Sequence, residues 1–196
     1  MIWTRIITAL LCCASVCRGD WPTYHGDASL SGVAKTNLPE QPRLCWRFNT
    51  GGAVYGTPVS DGKRIFFTAK KGRIFALDIE GASLWSLQLN YTNHAGQDVP
   101  ERFEAPLVCS EGVLVAAAVR GGVHALNAAS GKPLWEYDTE GVLIGSPNVV
   151  DDQVILLDQS EGSLHALEIK TGKLLWKTEP IERCDGVPGI GKNHIV

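Results

Sequence analysis

Residues 166–176 read ALEIKTGKLLW, and residues 125–135 read ALNAASGKPLW, an equal span. Residues 76–85 read ALDIEGASLW, one residue shorter. Self-similarity at a fixed spacing decides the architecture before any site can be discussed. Ala-Leu followed by Asp, Asn or Glu closes a strand, Thr-Gly or Ser-Gly supplies a turn, and Leu-Trp opens the next strand with a large ring to bury. Other landmarks hold the same register: Pro147 and Pro188, Val154 and Ile195, Ala125 and Ala166, and Trp135 and Trp176 are each 41 residues apart.

Working outward, each repeat reads as four short strands. The first unit begins near Gly56-Thr57-Pro58-Val59, where a proline suits a strand's first residue, and runs through residues 65–67 and 73–77 to 84–87. The second runs from residues 105–108 through 113–115 and 123–126 to Leu134-Trp135. The third runs from residues 145–147 through 154–157 and 164–167 to Leu175-Trp176. A fourth unit opens at Gly186-Val187-Pro188. Residues 44–48, LCWRF, are read as a final strand that places Trp46 where Trp85, Trp135 and Trp176 stand. Units of about 40 residues that cannot bury both faces alone are the arrangement of a β-propeller. The expected fold is therefore all-β, with four-stranded antiparallel blades, three complete and two partial.

The spacing breaks once. Trp46 to Pro58, Trp135 to Pro147 and Trp176 to Pro188 each span 12 residues, but Trp85 to Pro106 spans 21. The extra residues fall in 90–104, NYTNHAGQDVPERFE, which connects two blades and so lies on one rim. Long loops carry function more often than short ones. His94, Asp98, Glu101 and Arg102 are the candidate binding residues, with Asp98, Glu101 and Glu104 read as a solvated carboxylate face.

Composition narrows the function classes. The 196 residues carry 18 basic and 21 acidic side chains, a net charge of -3, which implies no polycationic surface for nucleic acid. No catalytic constellation emerges, and no C-x-x-C or His pair at i, i+4 offers a metal site. His124 and His165 occupy equivalent strand positions, read as a packing preference. Catalytic, cofactor and metal residues are therefore all assigned as none.

Residues 1–19 read as a cleaved export signal: one positive charge, an apolar run of 11 residues at 6–16, then Arg18-Gly19-Asp20. That run is too short to span a bilayer as a helix, which needs about 20 residues. Val16 before Cys17 fits lipoprotein processing poorly, so no lipid anchor and no stable transmembrane segment is expected. The mature protein is placed in the periplasm or outside the cell. Cys45, Cys109 and Cys184 remain after export and read as small buried hydrophobes, with one disulfide among them left open. Residues 20–43, rich in Pro, Gly, Ser and Asp, form an irregular lead-in in which His25-Gly26-Asp27 reads as a surface turn, and residues 44–196 hold the repeats.

The motif A-L-[DN]-x-x-[ST]-G-K-x-L-W resembles the tryptophan-docking motif of propellers of the pyrroloquinoline quinone (PQQ) repeat type, and DWPTYHGDASLSGVA resembles the start of their exported members. The resemblance implies that Trp46, Trp85, Trp135 and Trp176 pack between neighbouring blades. It also implies a ring of seven or eight blades, so the chain is expected to be the N-terminal part of a longer protein, with self-assembly into a ring as the alternative. The first unit departs from the motif at Gly81-Ala82 and should differ in turn type. Three functional readings follow: a non-catalytic scaffold binding a protein or other macromolecule on a propeller face, like the scaffold lipoproteins of outer-membrane barrel assembly; a PQQ-dependent dehydrogenase fragment needing calcium and an Asp base; or a sensor or carbohydrate-binding module. The first is preferred, with no cofactor.

Overall fold

The structure is a computed structural model that describes residues 20–34 and 40–196; the export signal assigned to residues 1–19 lies outside them. Among the described residues fifteen strands form: β1 Asp20–Trp21, β2 Val59–Asp61, β3 Arg64–Ala69, β4 Arg73–Asp78, β5 Ser83–Gln88, β6 Asn90–Thr92, β7 Asp98–Pro100, β8 Val108–Ser110, β9 Val113–Ala117, β10 Gly122–Asn127, β11 Pro133–Asp138, β12 Asn148–Val150, β13 Gln153–Asp158, β14 Ser163–Glu168 and β15 Leu174–Lys177. They build three antiparallel blades, β2 to β5, β8 to β11 and β12 to β15, with β1 added to the free edge of β2. The fold is all-β, and its sheets are blades of a β-propeller.

Strand chemistry follows position in the blade. The middle strands β4 (RIFALD) and β9 (VLVAA) are nearly continuous apolar runs, because both of their faces are covered. The outer strands β5 (SLWSLQ) and β11 (PLWEYD) alternate between half-buried and exposed residues, as strands with one solvated face do. Between blades 1 and 2, Val59, Phe66, Ile74 and Ala76 meet Leu114, Ala116, Leu126 and Ala128, with Trp85 alongside. Between blades 2 and 3, Val113, Val115, Val123 and Ala125 meet Val154, Leu156, Leu167 and Ile169, with Trp135 alongside. The outer face of blade 1 carries Phe67, Phe75 and Leu77 under Trp46 and Phe48.

Three of the four motif indoles do the same work, whereas the exposed Trp176 Nε1 donates to Gln153 Oε1 of its own blade at 3.2 Å. Trp46 Nε1 donates to the Ile79 carbonyl at 2.9 Å, Trp85 Nε1 to Ala128 at 3.1 Å and Trp135 Nε1 to Ile169 at 2.8 Å. Each acceptor lies in the next blade's turn between third and fourth strands. In that turn a glycine at positive φ lies so close to the ring that a Cβ would approach it within 2.5 Å at Gly81, 2.7 Å at Gly131 and 2.6 Å at Gly172. A side chain at any of these glycines would have to displace the indole. Within their own blades Trp85, Trp135 and Trp176 face the motif alanine, as in Ala125↔Trp135, and the ladder bulges after that alanine in all three blades. The first unit's turn is tighter, as its sequence implied: Asp78 N bonds Ala82 O, a span of four residues, whereas Asn127 N bonds Lys132 O across five.

Three expectations are corrected. Residues 44–48 form no strand, because none of the described residues supplies a ladder beside them; Trp46 and Phe48 dock through side chains alone. The connection at 90–104 is not a bare loop, since β6 and β7 pair as a hairpin, Tyr91 opposite Val99. Cys109 is buried, but Cys45 and Cys184 are exposed, and all three are free thiols. Burial pushes the Cys109 thiol up to about 12. The irregular lead-in is tied to the blades. Beyond β1, Cys109 N donates to Pro22 O at 2.8 Å, and Ala28 O accepts from Asn148 Nδ2 at 2.8 Å and Ile190 N at 2.9 Å. It thus runs along the first strands of successive blades. The opening of the fourth unit appears as the single bridge Ile190↔Ile195.

Candidate functional site

Each blade's turn between second and third strands and each connection to the next blade gather on one rim. There the insertion is tied down at its base: Leu89 N donates to Gly72 O, Glu101 N to Leu89 O and Val119 N to Arg102 O, at 2.8 to 2.9 Å. Arg120 lies over the Tyr91 ring at 4.8 Å from its centroid, a cation–π contact that holds the hairpin to blade 2.

The candidate residues separate. His94 stands exposed at the hairpin tip, Asp98 is exposed and accepts from Thr92 Oγ1 at 3.0 Å, and Arg102, 71% exposed, pairs with Glu104. Glu101 is not part of a solvated face. It is only 5% exposed and turns inward, its Oε1 3.2 Å from His124 Nε2, while its Oε2 has no partner. The reason is physical: a carboxylate is carried into the interior only where a partner offsets its desolvation, and His124 is that partner.

His124 is the residue whose role the sequence concealed. It corresponds to Phe75 in blade 1 and His165 in blade 3, so the position is a buried one. Glu136 Oε1 lies 3.4 Å from its Nδ1, and Phe103 packs edge-on at 6.2 Å. Burial alone would lower its pKa, but the bond and charge of Glu101, with Glu136, outweigh that and hold it above the ordinary histidine value. His165, with Tyr137 Oη at 3.0 Å and Ser163 Oγ at 3.2 Å, has no carboxylate bonded to it. Burial and the Lys177 charge lower its pKa. Two equivalent histidines are therefore tuned in opposite directions, and the difference comes from the insertion's Glu101 together with Glu136 standing opposite His124 where Lys177 stands opposite His165. Position in the repeat was the one signal available for His124: a titratable residue at a packed site needs a partner.

The rim carboxylates do not converge. Glu101 faces His124, Asp98 faces Thr92 and Glu104 faces Arg102, and no group of three or more His, Cys, Asp or Glu comes together among the described residues. The oxygen cage that a calcium ion beside a quinone needs does not assemble from them. One open feature of the rim is a cleft of about 400 Å³ beside the insertion, walled by Tyr55, Lys70, Lys71, Arg102, Phe103 and Glu104.

Repeated four-stranded blades, an indole locked into the next blade's turn, and an insertion on one rim define a propeller of the PQQ-repeat class. The family profile described as outer membrane protein assembly factor BamB matches residues 70–188, more than half of the chain, and the chain belongs to that family. Among solved structures, BamB from Moraxella catarrhalis is similar at 23% identity and TM-score 0.62, covering 77% of this chain and 45% of its own. Quinohemoprotein alcohol dehydrogenase from Comamonas testosteroni is similar at 24% identity and TM-score 0.66, covering 84% of this chain and 28% of its own. The computationally designed Ika4 protein, at 16% identity and TM-score 0.63, covers 79% of this chain and 91% of its own. These likenesses establish the fold, and the chain spans less than half the length of the two natural proteins. No curated protein matches by sequence. No helix among the described residues is long and apolar enough to cross a membrane.

Proposed function

We propose that this chain is an exported propeller that binds a protein partner through its insertion-bearing rim, in the assembly of outer-membrane proteins, without a quinone cofactor or redox chemistry of its own. Membership of the BamB family supports the setting, and the apolar run near the N-terminus supports export. The observation that carries the reading is the insertion itself. Its base is fixed by three backbone hydrogen bonds and the Glu101–His124 contact, while its tip, with His94 and Gln97, stays exposed. A rigid base under an exposed tip is suited to recognition, because little ordering entropy is lost when a partner docks.

The competing reading, a fragment of a PQQ-dependent dehydrogenase, is tested by titrating PQQ in the presence of calcium and following tryptophan fluorescence. No saturable change is expected. Saturable quenching that requires calcium would sink the scaffold reading.

A further inference from the structure

We infer that the cleft beside the insertion receives an extended acidic segment of a partner protein, held by Lys70 and Lys71. The inference rests on the scaffold reading and gives the partner a chemistry. Although the chain is net acidic, blade 1's side of the rim concentrates cations: Lys70, Lys71, Arg73, Arg102 and Arg120. Arg102 is engaged with Glu104, Arg120 covers Tyr91, and Arg73 lies over Phe75 at 5.8 Å. Lys70 and Lys71 have no ion pair among the described residues and are exposed at the cleft's mouth.

Their turn is built to stay where it is. Lys70 N donates to Ala53 O at 2.8 Å, Lys71 adopts φ 68, and Gly72 follows at φ 66. At Gly72 a Cβ would meet Leu89 O at 2.4 Å and Glu101 N at 2.8 Å, so the turn is wedged against the base of the insertion. A non-glycine residue at positive φ is a strained placement, and of the three equivalent turns this one alone has it, at Lys71.

The cleft's other walls select the occupant. Tyr55, 61% exposed, gives an aromatic side, and buried Phe103 and Glu101 lie at the back, Glu101 with the unpartnered Oε2. Two ammonium groups, an aromatic surface and one unused acceptor match acidic side chains, apolar side chains and a backbone N–H of an extended peptide. A small free anion is less well served, since the neighbouring amides of Lys70, Leu89, Glu101 and Val119 are spent on the fold. Nucleic acid is disfavoured by the same rim farther round, where Glu140, Glu161, Glu179, Glu182 and Asp185 are exposed.

The test is fluorescence anisotropy on the full chain. The probe is a labelled peptide of about twelve residues, a length that spans roughly 40 Å when extended, rich in glutamate with two phenylalanines. Its lysine counterpart and a single-stranded oligonucleotide of equal charge serve as comparisons. The acidic peptide should bind saturably. Charge reversal at both exposed sites, Lys70→Glu with Lys71→Glu, should weaken it by about tenfold or more, as like charges brought together across an interface do. Lys132→Glu, on the opposite rim, should leave it unchanged. Binding that survives the double reversal, equal affinity for the oligonucleotide, or salt-dependent self-association in place of peptide binding would each overturn the inference. Failure of the peptide while the rim still crosslinks to a protein would remove the cleft chemistry alone, whereas saturable PQQ uptake would remove the scaffold reading beneath it.

Discussion

Replacing Glu101 with alanine should release the base of the insertion. Glu101 Oε1 lies 3.2 Å from His124 Nε2, and the two side chains are 4% and 8% exposed. Removing one partner from a buried, charge-assisted contact costs about 2–3 kcal/mol, at the lower end for such pairs because Oε2 is already unpartnered. The cost should appear locally, in hydrogen exchange of the Leu89, Glu101 and Val119 amides, whose bonds close the insertion's base. At 1.4 kcal/mol per factor of ten, those amides should exchange roughly 30–150 times faster in Glu101→Ala. The pH dependence has a definite sign. His124 has a folded pKa above its ordinary value, so its contribution is complete below that ordinary value, about 6.5. It is lost as pH rises through the raised folded pKa. Wild-type protection at the three amides should therefore be full below about pH 6.5 and fall as pH rises above it, relative to distant amides, and Glu101→Gln should flatten that slope. Less than threefold acceleration in Glu101→Ala, or an unchanged slope in Glu101→Gln, would refute the reasoning.

Three further outcomes follow from the blades. Trp135→Ala should destabilise by about 3–4 kcal/mol in urea unfolding, because the ring and its bond to Ile169 O are both lost, whereas Trp176→Ala, at a ring already 37% exposed, should cost under about 1 kcal/mol. Asn148→Ala should lower stability by about 2–3 kcal/mol, since its buried Nδ2 serves the Ala28 and Pro188 carbonyls at 2.8 and 2.9 Å; a mere strand-end asparagine would cost far less. Iodoacetamide near neutral pH should modify Cys45 and Cys184 in the native protein, and Cys109 only after denaturation, as peptide mass mapping would record.

The blades were legible because repetition and indole chemistry reinforce each other. Trp85, Trp135 and Trp176 mark the outer strands, and Thr-Gly or Ser-Gly marks the turn that receives the previous blade's ring. Residues 44–48 carry the same tryptophan landmark but no ladder partner, so a motif read one strand at a time overcalled a strand. The strap formed by Pro22 and Ala28 has no periodicity to read, since its bonds reach residues 87 to 162 positions away. The Glu101–His124 contact stayed hidden for a related reason. Its partners lie 23 residues apart in sequence, one in an insertion and one on a regular strand, and only the folded rim brings them together.

Site-specific photocrosslinking in the native cell tests the central claim, that this rim binds a protein. A photoreactive residue at Tyr55 or Gln97 should crosslink to a discrete protein partner, and one at Lys132 on the opposite rim should not. Crosslinks of equal yield from both rims, or none from either position on the insertion side, would contradict it.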